Sequence, residues 1–111
     1  MIDHAHLDSL IQLIGKETTN AIRLEFIDDS NEKITLLIQA WDKRDFQELR
    51  QVSHSLKSAS LNMAMQVFAK QCQMIEEAAT QQSDQGVQAI IDDLPTIHQA
   101  SLKELDEYFS N

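Results

Sequence analysis

The 111-residue sequence predicts an all-α protein, an antiparallel four-helix bundle with a short additional N-terminal helix. Only two Gly and one Pro occur, too few for the many turns of an all-β fold. Ala, Leu, Ile, Gln, Glu and Lys dominate, and these residues favour helices. Apolar residues recur at helical spacing in four long segments with short polar connections, which favours an antiparallel bundle. The length fits one core, so we predict a single domain over residues 1–111.

Gly15 separates the first two predicted helices. Asp3 is predicted to cap the first, and Gly15 to end it at a position where helices often turn left-handed. The second helix is predicted from about residue 18 to residue 41, with a polar middle at residues 28–33 where it can bend. Its apolar stripe consists of Ile22, Phe26, Ile34, Leu37, Ile38 and Trp41.

The remaining three helices follow a charged turn at residues 42–45. Asp45 is predicted to cap the third helix, and Glu48 completes a sequence similar to a capping box. The buried seam of the fourth helix is Phe68, Cys72, Ile75 and Ala79. The fifth helix follows a polar loop at residues 80–84 and carries Val87, Ile90, Ile91, Leu94, Leu105 and Tyr108. Pro95 is predicted to kink this helix rather than end it, because the apolar period resumes beyond it.

The charge and the apolar segments exclude several classes of protein. The formal net charge is -9, and no basic stripe is visible of the kind that nucleic-acid binding requires. An anionic membrane surface would repel such a chain. No apolar segment approaches the roughly 20 residues of a membrane span, and no signal peptide is recognisable. We therefore expect a soluble cytoplasmic protein that binds neither nucleic acid nor membranes.

The third helix contains an unusual stretch at residues 52–63, VSHSLKSASLNM. At about 100° per residue, its core face consists of Leu49, Val52, Leu56, Ala59 and Met63. His54 lies almost opposite, so its imidazole is predicted to face solvent, with Lys57 one turn away and near enough to share a bound anion. The small residues predicted to clear the surface around the ring are Ser53, Ser55, Ser58, Ala59 and Ser60.

An exposed imidazole is a good nucleophile near neutral pH, because its ordinary pKa is about 6.5. The sequence offers no partners for a Ser-His-Asp arrangement and no second histidine at the spacing of a metal site. Attack on a phosphoryl group would require only exposure, orientation and a cation, since phosphoryl transfer depends mainly on positioning and electrostatics. The phosphoryl donor and the magnesium ligands would then have to come from a partner.

The sequence resembles the histidine phosphotransfer (HPt) domain family. The run His54-Ser-Leu-Lys-Ser-Ala, followed by Phe68, Cys72, Ile75 and Glu76, matches without a gap the family pattern His-x-Leu-Lys-Gly-Ser/Ala, then Leu or Phe, then Cys, then Leu-Glu. The resemblance implies a four-helix bundle in which His54 accepts a phosphoryl group, through its Nε2, from a receiver-domain aspartate and passes it to another receiver. Lys57 would stabilise the phosphate. Two positions depart from the pattern, because Ser58 and Ala64 stand where Gly is usual.

The resemblance also implies the partners. These would be receiver domains of a hybrid sensor kinase and of a response regulator, with Mg²⁺ on the receiver and no cofactor or metal in this chain. The chain would be a monomeric carrier and not an enzyme, since no ATP-binding element is recognisable. Candidate docking residues on the exposed face of the third helix are Gln47, Arg50, Ser58 and Leu61.

Two alternatives belong to other classes. The first is an adaptor or inhibitor that binds receiver domains without being phosphorylated, but a pure binder needs neither His54 nor Lys57. A histidine-kinase dimerisation domain is disfavoured, because that unit builds its bundle from helical hairpins of two chains. Light scattering would separate such a dimer from a monomer.

Overall fold

The computed structural model describes residues 1–110, all of whose regular elements are helices. They are α1 (His4–Ile14), α2 (Lys16–Asp42), α3 (Phe46–Asn62), α4 (Gln66–Thr80) and α5 (Val87–Phe109). Helices α2 to α5 form a bundle in which each helix packs on the next and α5 returns to α2, with overall dimensions of 41 × 21 × 21 Å. The prediction of a four-helix bundle with a short N-terminal helix is confirmed.

Helix α1 packs against the end of the bundle where α3 stops and α4 starts. The backbone N–H of Asp3 donates to the carbonyl of Ala64 at 2.8 Å, and the Leu7 side chain is fully buried. Asp3 also caps α1 as predicted, since its carboxylate accepts from the backbone N–H of His6 at 3.2 Å. Helix α1 therefore closes one end of the core and fixes the connection that follows α3.

Gly15 ends α1 in a backbone conformation that differs from the expected one. Its φ of 89° is positive, as predicted, but its ψ of 155° is extended and not left-handed helical. This region of backbone space is open almost only to glycine. Helix α2 consequently starts at the very next residue, two residues before the predicted position.

Helices α2, α3 and α4 end in left-handed residues that are not glycine: Arg44, Ala64 and Gln82, with φ of 52°, 64° and 52°. At the end of α3, Ala64 donates its N–H to Leu61 at 3.1 Å and the next residue donates to Ser60 at 2.9 Å. Both bonds satisfy carbonyl groups that the helix end leaves free. The same pair recurs at the other two ends, so three turns form without glycine. The left-handed backbone at Ala64 gives a conformational reason for the Gly that is usual at this position in the family that the sequence resembles.

The core contains most of the predicted apolar positions, including Phe26, Leu37, Trp41, Leu49, Leu56, Phe68, Cys72, Ile75, Leu94 and Leu105. Burial, with a smaller contribution from Glu76, raises the pKa of the Cys72 thiol to about 12, as expected for an unreactive core residue. Helix α5 continues through Pro95, as predicted.

The prediction that Ile22 belongs to the buried stripe of α2 is wrong, since Ile22 is 40% exposed. Arg23 is buried instead, because its guanidinium packs over the ring of Phe109 in α5.

Polar side chains join α2 to α5 inside the bundle. Ser30 and His98 are both buried, and Ser30 Oγ lies 2.8 Å from His98 Nε2. His98 is therefore a structural residue of the core and does not face solvent. Burial lowers the pKa of His98 below its ordinary value, so the ring is neutral at neutral pH.

Candidate functional site

The imidazole of His54 projects from the middle of α3 into solvent. Its side chain is 59% exposed, whereas Leu49 and Leu56 on the opposite face of the same helix are fully buried. The prediction that the ring faces solvent is confirmed. The ring thus lies on a helix whose other face is packed in the core. A partner can therefore reach the ring only from the solvent side of α3.

Glu76 of α4 orients this ring. The Glu76 Oε2 atom lies 2.7 Å from His54 Nδ1, and a carboxylate can only accept at this distance. The contact therefore places the proton of the neutral imidazole on Nδ1 and leaves the lone pair on Nε2. In residues 1–110, no hydrogen bond engages Nε2, so this nitrogen of a side chain that is 59% exposed has no partner among the described residues.

Lys57 binds the second oxygen of the same carboxylate. Its Nζ lies 2.7 Å from Glu76 Oε1, so Glu76 bridges the imidazole and the ammonium. Burial raises the pKa of the Glu76 carboxyl, but the hydrogen bonds from Lys57 and His54 and the charge of Lys57 outweigh this effect and lower the pKa overall. The carboxylate is therefore ionised at neutral pH. A shallow cleft of about 260 Å³ beside it is lined by Lys57, Gln73, Glu76, Glu77, Thr80 and Gln81.

Two of the serines predicted to surround the ring are not beside it. Ser53 and Ser60 are fully buried, and Ser53 Oγ donates to the carbonyl of Leu49 at 2.7 Å. Ser53 precedes His54 and therefore points about 100° away from it, toward the core. Ser60 is four residues after Leu56 and so shares the buried face. Ser58, by contrast, is exposed as predicted.

A second lysine reaches this face from α2. Lys33 Nζ donates to Ser55 Oγ at 2.7 Å and forms an ion pair with Asp29 at 3.0 Å. Sequence reasoning missed Lys33, because one helix's periodicity does not reveal which residue of the next helix lies opposite. It included Glu76 only as part of a family pattern and assigned it no contact.

All four candidate docking residues, Gln47, Arg50, Ser58 and Leu61, have exposed side chains. Leu61 is 51% exposed, and Gln47 and Arg50 line an open groove between α3 and α4. Their role in docking stays a prediction. In residues 1–110, no three His, Cys, Asp or Glu side chains are grouped as a metal site would require. The helices of this same range include none that is both long enough and apolar enough to span a bilayer.

Two comparisons with known proteins found matches. A family model described as the Hpt domain matches residues 21–108. The chain is also similar to the crystal structure of histidine-containing phosphotransfer protein B (HptB) from Pseudomonas aeruginosa PAO1. The TM-score is 0.89 at 27% sequence identity, and the alignment covers 98% of this chain and 94% of that one. A search of curated protein sequences found no match.

Proposed function

The chain belongs to the Hpt domain family of phosphorelay carriers, and we propose that Nε2 of its His54 carries the phosphoryl group. The observation that supports this assignment is the hydrogen bond between His54 Nδ1 and Glu76, at 2.7 Å. It leaves the lone pair on an exposed nitrogen, where a partner protein can reach it. A merely adhesive surface has no need of a fixed tautomer.

The reaction follows from that tautomer. The Nε2 lone pair attacks the phosphorus of a receiver-domain aspartyl phosphate and forms the N–P bond, while the bond from phosphorus to the aspartyl oxygen breaks and its electrons restore the aspartate carboxylate. The ring keeps its Nδ1 proton and becomes cationic. The Glu76 carboxylate, already in contact with Nδ1, stabilises that charge. The magnesium ion of the reaction belongs to the receiver in this proposal.

Lys57 is proposed to stabilise the phosphoryl group. Its ammonium is held one turn from His54 by Glu76, at 2.7 Å, and its side chain remains 24% exposed. A phosphoryl group on Nε2 would place roughly two negative charges near this ammonium. Lys57 can then share its three donors between the phosphoryl oxygens and Glu76.

The proposed partners are receiver domains of a hybrid sensor kinase and of a response regulator. They would dock on the exposed side of α3 around His54, over Gln47, Arg50, Ser58 and Leu61. We place the chain as a monomeric cytoplasmic carrier that supplies a nucleophile and one cation but no ATP site. The competing adaptor function predicts binding to receivers without phosphorylation.

Transfer of phosphate from a receiver tests the assignment. A receiver domain of the same organism, phosphorylated beforehand with a small-molecule phosphodonor, is mixed with wild type, His54→Gln or His6→Gln. His6 is the matched control, because it is another exposed histidine. We expect an acid-labile, base-stable phosphoryl group on wild type and His6→Gln only. Label on His54→Gln would refute the site, and tight binding with no label on wild type would favour the adaptor.

A further inference from the structure

The charge of the chain is distributed very unevenly. Residues 43–70, which contain all of α3, carry five basic and two acidic side chains, a net charge of +3 in a chain whose formal total is -9. The remaining residues therefore carry -12. This segment is therefore the basic part of an acidic chain, and basic side chains that are exposed next to a docking surface attract and orient an acidic partner during diffusional encounter.

Arg50 is a cation near His54 that is available to a partner. Lys57 and Lys33, the other two lysine or arginine side chains at the site, are held by Glu76 at 2.7 Å and by Asp29 at 3.0 Å. The Arg50 side chain is exposed, and its guanidinium has no hydrogen bond, ion pair or ring contact with any described residue. Lys57 is assigned to the phosphoryl group and Lys33 is paired within the chain, so the Arg50 guanidinium remains for a contact with a side chain of the receiver.

The position and chemistry of Arg50 suit a carboxylate. It lies four residues before His54, on the same exposed face of the helix. Its side chain borders a groove of about 300 Å³, between the start of α3 and the end of α4, that is open to a partner. The planar guanidinium can bind both oxygens of a carboxylate at once, which gives directional selectivity that a lysine lacks.

We propose that Arg50 helps to determine which receiver domains this chain accepts, by pairing with an Asp or Glu side chain on the receiver's docking surface. The proposal rests on the proposed function, because the docking surface is the one around His54. Receivers with a carboxylate opposite the groove gain a charge-assisted hydrogen bond, and receivers with a basic residue there meet repulsion.

The test compares Arg50→Glu, Arg50→Lys and Lys103→Glu. Lys103 of α5 is the matched control, since it is exposed, has no ion pair with the described residues, and its reversal changes the net charge by the same amount. Initial phosphotransfer rates are measured from each available receiver of the organism at several salt concentrations. For the preferred receivers, Arg50→Glu should lower the rate by roughly tenfold at low salt, and Arg50→Lys by about two- to threefold. Lys103→Glu should change it by less than about twofold.

Selectivity is the decisive readout. Arg50→Glu should change the ratio of rates between preferred and disfavoured receivers, and rising salt should reduce the difference. An equal decrease in the transfer rate from all receivers, or equal effects of Arg50→Glu and Lys103→Glu, would overturn the proposal. The net charge of the chain would then be the remaining explanation of the effect. Circular dichroism verifies that the variants fold. Wild type that accepts no phosphate would refute the proposed function instead, so the two failures are distinguishable.

Discussion

Replacing Glu76 by alanine should make His54, the proposed nucleophile, less reactive without changing the histidine itself. In the structure, Glu76 holds the proton on His54 Nδ1 and also binds Lys57. Without the carboxylate, the imidazole can place its proton on either nitrogen, and the form protonated on Nε2 cannot attack phosphorus. We therefore expect Glu76→Ala to reduce phosphotransfer from a phosphorylated receiver.

The size of the effect follows from the exposure of the groups. A hydrogen bond to a charged group contributes about 1.5–3 kcal/mol when it is well shielded from water. The His54 side chain is 59% exposed, and exposed ion pairs contribute only about 0–1 kcal/mol, so we expect about 1 kcal/mol for the Nδ1–H tautomer. That corresponds to roughly a fivefold change in the ratio of the two tautomers.

Nitrogen-15 NMR of the imidazole gives the cleanest measurement, because the two ring nitrogens report the tautomer directly. Glu76→Ala also frees the Lys57 ammonium, which favours phosphate binding and offsets part of the loss in rate. Glu76→Gln retains an acceptor for Nδ1–H and should shift the tautomer less than Glu76→Ala. Glu77→Ala, an exposed position on the same helix, is the matched control and should leave the spectrum unchanged.

An unchanged tautomer in Glu76→Ala would refute the reasoning, whatever happened to the rate. A lower rate with an unchanged tautomer would mean that Glu76 acts through Lys57 or through docking. A shifted tautomer with a rate equal to that of wild type would mean that the position of the proton does not limit transfer.

Three further predictions concern the stability of the bundle. Gln82→Gly should raise the free energy of unfolding by about 0.5–1 kcal/mol, because φ at Gln82 is 52°, whereas Gln81→Gly, where φ is -88°, should lower it by a similar amount. Urea denaturation would measure both, and equal signs would contradict the assignment of strain. Ser60→Ala should be more stabilising than Ser53→Ala by about 1 kcal/mol, because Ser60 Oγ is buried without a hydrogen bond and Ser53 Oγ is bonded. Comparable denaturation midpoints would refute this difference. Since burial lowers the pKa of His98, the unfolded chain binds a proton before the folded chain does as the pH falls below about 6.5. The free energy of unfolding should therefore decrease below this pH, and it should decrease less steeply in His98→Gln. Parallel pH profiles of the two proteins would exclude this origin.

Much of the fold could be predicted from local features. The caps Asp3 and Asp45 and the core face of α3 depend on residues within one or two turns of one another, so the sequence contains all the information needed. Ile22 shows the limit of this reasoning. The side of α2 that is buried depends on α5, which supplies Phe109 to the neighbouring Arg23, and periodicity within α2 cannot reveal that.

The candidate site shows the same distinction between features that one helix determines and features that depend on the packing of two helices. The exposure of His54 and its spacing to Lys57 are properties of α3 alone, and both could be predicted. The contacts of Glu76 and Lys33 join different helices, so they depend on the register between helices, which packing on both sides determines.

The position of one proton connects these contacts to the proposed role as a carrier. A nucleophile that must later release its phosphoryl group needs to be a good leaving group as well. With the proton held on Nδ1 by Glu76, the ring would attack as a neutral imidazole and, after accepting the phosphoryl group, would be a cation. In the reverse direction, the same cation would leave phosphorus as a neutral imidazole, so no proton would have to move in either step. A single carboxylate on α4 can therefore serve both acceptance and release, which is the symmetry that a reversible shuttle between two receivers requires.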